Sequence, residues 1–167
     1  MRVVCANTQA AAIAGARSSF GISHTGGARL AIQEARNALG LTWRYIEAFE
    51  AEAAALYAAA MDVEQVANFA DQLVKVKQAD TEAARTRRRQ QANGIVELFV
   101  DSPTVAPVGG TRWAAYQAVS EWTDHAAPVR GTRSPTEAAH TRALRAVTTG
   151  STAQSMKLEA FRMLQTL

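Results

Sequence analysis

The chain has 167 residues, but only one is cysteine, four are proline and three are histidine. Each scarcity excludes something. A single thiol, Cys5, rules out an internal disulfide and fits a reducing compartment. Its place in an apolar run reads as an inert packed side chain rather than a nucleophile. With His24, His125 and His140 as the only histidines, and no HExxH or CxxC spacing, neither a metal centre nor a cofactor is expected. Asp124 and His125 are neighbours, and adjacent residues on a helix point about 100° apart, so they do not converge on one ion unaided. No stretch approaches the ~18–20 apolar residues of a membrane span. There is also no charged segment leading into an apolar export signal. A cytoplasmic protein without a membrane partner is the expectation.

Alanine is abundant. There are 36 alanines within the 48 % hydrophobic fraction, and they favour helix while leaving little bulk between elements. The expected fold is therefore mainly α: an irregular orthogonal bundle of about seven helices with a minor β element near residues 2–6 and 18–24. The length suits one domain. Within 1–167, residues 1–27 form a strand, helix and turn segment, 28–101 a first helical group, 102–111 a linker, and 112–167 a second helical group.

Local signals place the helices. Asn7 and Thr8 can cap a short one over 9–16, and another should run over 28–39 to Gly40. Trp43, Ile46, Phe49, Ala53, Leu56 and Ala60 recur in steps of three and four, which predicts one buried stripe. Asp62 with Gln65 forms a capping-box pattern ahead of Val63, Val66, Phe69 and Leu73. Ser102-Pro103, Pro107 and Gly109-Gly110 mark the linker. Thr111 then caps a helix carrying Trp113, Tyr116, Val119 and Trp122; at that spacing the aromatics read as core rather than as stacking platforms. Ser134-Pro135-Thr136-Glu137 is the strongest helix start in the chain. Gly150 ends that helix, and Ser151 with Gln154 opens the last.

Charge is uneven. Residues 1–84 carry seven basic and nine acidic side chains, whereas residues 85–167 carry eleven and six. Residues 75–91, KVKQADTEAARTRRRQQ, have no large apolar residue after Val76, yet the core stripe resumes at Ile95 and Phe99. Either a helix projects beyond the body or the segment is a loop, and the projecting helix is the expectation. Its Lys75, Lys77, Arg85, Arg87, Arg88 and Arg89 are the candidate nucleic-acid contacts, spread around the circumference as phosphate contacts would be. His24-Thr25-Gly26-Gly27 reads as a tight turn. Ser18 and Ser19 have no identifiable base, so no catalytic residue is assigned and enzymatic activity is not expected.

A strand at 2–6 must take an edge from its own chain, another copy or another domain. Val3, Val4, Phe20 and Ile22 are therefore candidate interaction residues. The blocks VVCANT, ISHTGG, AIQEARNALGLTWRYIEAFE, ELFVDSPTV, GGTRWAAYQAVSEWTDHAAPVRG and ALRAVTTGSTAQSMKLEAFRML cover nearly the whole chain in order. Together they resemble a phage- and plasmid-like conserved family of unknown function. The resemblance implies the C-terminal half of that family and a mobile-element origin, with no activity attached. Two functions follow as expectations. One is an accessory role in DNA replication or recombination through the basic helical surface. The other is a module that self-assembles or docks on a host or phage protein.

Overall fold

The computed structural model describes residues 46–148 and 150–167. The expected elements at 9–16, 18–24 and 28–39, and the interaction candidates Val3, Val4, Phe20 and Ile22, lie outside the described residues. Within them the protein is helical, with no named strand. Helix α1 occupies 46–58, α2 Val63–Leu73, α3 Glu82–Asp101, α4 Arg112–Glu121, α5 Pro135–Val147 and α6 Thr152–Thr166. Short 3₁₀ turns lie at Val76–Gln78 and Ala106–Val108, and a π-helical turn at Trp122–Ala126 continues α4.

Side-chain caps set most of the helix starts. Asp62 and Gln65 make both bonds of the capping box, at 2.8 and 2.9 Å. Thr111 Oγ1 accepts from the Ala114 amide at 3.1 Å, and Ser134 Oγ accepts from the Glu137 amide at the same distance. Glu137 and Gln154 each reach one residue further back than a capping box requires, to the amides of Arg133 and Gly150 at 2.7 and 2.9 Å. Orphan amides at the helix starts are thus satisfied within a few residues, independently of the rest of the fold. Gly150 has φ +70°, a left-handed conformation that suits glycine between α5 and α6.

The core lies where α2, α3, α4 and α6 meet. Val66, Phe69, Ile95, Val119, Ala160 and Leu164 are sealed from solvent there, and alanines 114, 115 and 118 let α4 sit close to its neighbours. Phe49 brings α1 into this core, with its ring 6.1 Å from Trp113 and 6.0 Å from Phe161; Tyr116 lies 5.2 Å from Phe161. Edge and offset contacts at these distances suit the aromatic quadrupole. The stripes expected for α1 and α2 are narrower than their sequence spacing implies. Leu56 is buried, but Ile46 is 41 % exposed, and Val63, in the first turn of α2, is 49 % exposed.

The linker is not a free connection. Ser102 Oγ donates to the Glu121 carboxylate, and Thr104 Oγ1 bonds the same group. Val105 is fully buried beneath this corner. Further on, Met61 and Arg112 donate their amides to the carbonyls of Gly110 and Ala59, at 3.0 and 2.9 Å, flanking an antiparallel bridge between Ala60 and Thr111.

Candidate functional site

Helix α4 changes pitch at Trp122. The Ala127 amide bonds the Trp122 carbonyl at 2.7 Å, five residues back, and the wider turn buries Trp122, Thr123 and Asp124 while His125 stays exposed. Asp124 Oδ1 meets Lys157 Nζ of α6 at 2.5 Å, with the two side chains 1 % and 4 % exposed. On the opposite flank Trp122 presses against α3 at Gly94, where an added Cβ would stand 2.8 Å from the indole Nε1. The turn is therefore clamped to α6 by charge and to α3 by contact.

Over this turn opens a cleft of about 510 Å³. Arg87, Gln90 and Gln91 of α3 form one wall, and Arg142 and Arg145 of α5 another. Arg130 comes from the 127–133 loop, Trp122 and Thr123 from the π turn, and Thr152, Ala153 and Met156 from the first turns of α6. No aspartate or glutamate lines it, and among the described residues none of the four arginines pairs with a carboxylate. Arg142 places Nη1 at 3.4 Å from the Ala127 carbonyl, while its buried Nε has no hydrogen-bond partner. The start of α6, a 15-residue helix, adds the positive end of a helix dipole. Arginines that share one open space without a carboxylate repel one another, and the stable complement of such a space is an anion.

The candidate nucleic-acid residues do not share one face. The expected helix covers only 82–91 of the segment; before it, Lys75 takes a left-handed conformation at φ 58°, and the 3₁₀ turn after it buries Val76. A new helix begins at Glu82 behind the Thr81 cap. Val76 and Ala79 are buried in this turn, between the end of α2 and the start of α3. Arg88 donates to the Lys75 carbonyl at 2.6 Å, and Arg85 pairs with exposed Glu82. Arg89 borders a separate groove with Asn68 and Asp71. Lys77 is exposed, and only Arg87 reaches the cleft. Arg130, Arg142 and Arg145 were not singled out from sequence. The one local signal was Arg142 and Arg145 three residues apart on a helix beginning at Ser134.

The aromatics follow the core expectation, with an addition at Trp122. Tyr116 is sealed, and burial pushes its phenol well above the ordinary tyrosine range. The Ser120 hydroxyl tempers that rise from one turn away without completing a bond of full hydrogen-bond geometry. The Asp124 carboxylate adds to the rise. Trp122 is buried too, yet one side of it lines the cleft. Among the described residues no group of three or more His, Cys, Asp or Glu side chains could hold a metal ion, and no helix is long and apolar enough to cross a membrane.

The fold and the site together define a helical domain, over its described residues, that carries an arginine-lined cleft beside a π turn. The chain belongs to the family described as Domain of unknown function (DUF932), whose model matches residues 1–147. All four cleft arginines fall within that match, while α6 lies beyond it. No curated protein and no solved structure matches the chain.

Proposed function

We propose that this DUF932 protein is a non-enzymatic accessory protein of phage or plasmid origin that acts in DNA metabolism by binding nucleic acid. The binding surface is the arginine-lined cleft, with Arg87 the one member of the 75–91 segment that contributes to it. The observation carrying this reading is four guanidinium groups around one open space without a carboxylate among them. Phosphates neutralise such a surface and release counterions, so affinity falls steeply with salt. The glutamines at 90 and 91 and the indole of Trp122 offer contacts to bases beside the phosphates.

The test is a salt titration of single-stranded and double-stranded DNA binding by the full chain. Arg142→Ala/Arg145→Ala should weaken binding at least tenfold and flatten the salt slope by about 1 per arginine removed. Binding of both DNAs unchanged in the variant would end this reading. A second reading, a module that docks on protein or on itself, is favoured by Leu144 and Leu158, 51 % and 43 % exposed on the adjoining helices α5 and α6. A discrete oligomer in light scattering with no salt-sensitive DNA affinity would select it.

A further inference from the structure

We infer that the cleft is a pocket for a phosphate monoester, the end group of a nucleic-acid strand or a nucleoside monophosphate, and not a track for internal phosphodiesters. The inference rests on the phosphate-binding reading of the cleft and specifies its ligand. A diester phosphate inside a strand brings a single negative charge per nucleotide. A monoester brings between one and a half and two charges near neutral pH and three acceptor oxygens, about what converging arginines require. Arg87, Arg130, Arg142 and Arg145 arrive from three separate elements and surround one space, instead of lying in a row along a helix at the spacing of successive phosphates.

The donors match in kind. Guanidinium groups offer paired N–H bonds to phosphate oxygens. The start of α6 lines the same cleft at Thr152 and Ala153, with its dipole in the favourable sense. At about 510 Å³ the cleft lies within the ~300–1,000 Å³ range of small-ligand pockets, room for one nucleotide unit. Trp122 and Met156 provide the apolar surface that a sugar or base would cover.

The experiment compares four probes on the full chain by calorimetry or anisotropy: a short single-stranded oligonucleotide with a terminal phosphate, the same strand ending in hydroxyls, a nucleoside monophosphate and its nucleoside. The phosphorylated strand should bind at least tenfold more tightly than the unphosphorylated one, and the monophosphate should bind where the nucleoside does not. Arg142→Ala should abolish both differences. Arg130→Ala, on an exposed loop and outside any helix, should reduce them at least threefold with the fold intact. Equal binding of the two strands with no monophosphate binding overturns the inference, whereas salt-sensitive binding of both strands in that outcome leaves the nucleic-acid reading standing. Monophosphate binding without affinity for either strand supports the pocket, assigns it to free nucleotides and ends the nucleic-acid reading.

Discussion

On one side of the Trp122–Ala126 turn, Asp124 and Lys157 close on each other at 2.5 Å almost out of reach of water. On the other side, Arg87, Arg130, Arg142 and Arg145 surround open space with no carboxylate among them. The same few residues of backbone serve both. A cation buried in the protein needs its counter-charge built in, because desolvation is otherwise too costly. Cations facing a cleft can leave theirs to solvent ions until a ligand arrives. The contrast separates charge that holds the fold together from charge that is available for binding.

The comparison breaks most sharply at the buried pair. Asp124→Asn leaves the Lys157 ammonium buried without its counter-charge and should lower unfolding free energy by about 3–5 kcal/mol, read from urea denaturation. Replacing both partners by apolar residues, as in Asp124→Leu/Lys157→Met, should recover most of that loss. A single-variant loss below about 1 kcal/mol would mean that water reaches the pair and that the two sides of the turn are not so different. Gly94→Ala probes the other clamp. Helix propensity favours alanine by up to about 1 kcal/mol, but its Cβ would meet the rigid indole of Trp122 at 2.8 Å. A net loss of about 1 kcal/mol and a shifted tryptophan fluorescence are expected; a gain in stability would show that the indole can swing freely toward the cleft.

The smallest effect concerns Tyr116. Its folded phenol titrates above its unfolded value, so the protonated form is favoured by folding. That contribution is complete below the unfolded value near 10 and is lost as pH rises beyond it toward the folded value. Tyr116→Phe should therefore flatten the alkaline decline in stability above about pH 10 while differing from the parent by no more than about 1 kcal/mol at pH 7. An unchanged alkaline limb in a scan of melting temperature against pH would place the phenol in contact with water.

What the sequence made legible was local. Asp62 with Gln65, Thr111, Ser134 and Ser151 mark helix starts because a cap is satisfied within three or four residues, whatever the rest of the chain does. Val66, Phe69 and Leu73 could be assigned inward for the same reason, since one helix fixes its own stripe. In the 75–91 segment the helix was legible over 82–91, but not the left-handed Lys75 and the turn that buries Val76 and Ala79, which depend on what the turn packs against. Its four arginines, close in sequence, were divided among a carbonyl, a carboxylate, a groove and the cleft by the 100° step between helical neighbours. The cleft itself joins Arg87 to residues more than forty positions away, and no spacing rule reaches that far. The π turn has no sequence signature in WTDHA, and Lys157 stands 33 residues from its aspartate.

The bridge between Ala60 and Thr111 has a consequence for how this architecture can vary. Residues 61–110, with α2 and α3, leave and rejoin the body through one doorway, where two backbone bonds hold exit and entrance side by side. Because α2 and α3 also supply Val66, Phe69 and Ile95 to the core, only the exposed part of the turn between them can change length without rerouting the helices on either side. This excursion also carries Arg87, Gln90 and Gln91, so one wall of the cleft stands on the same packing that builds the core. Relatives that remodel it would alter what the cleft accepts and what keeps the molecule folded in one stroke.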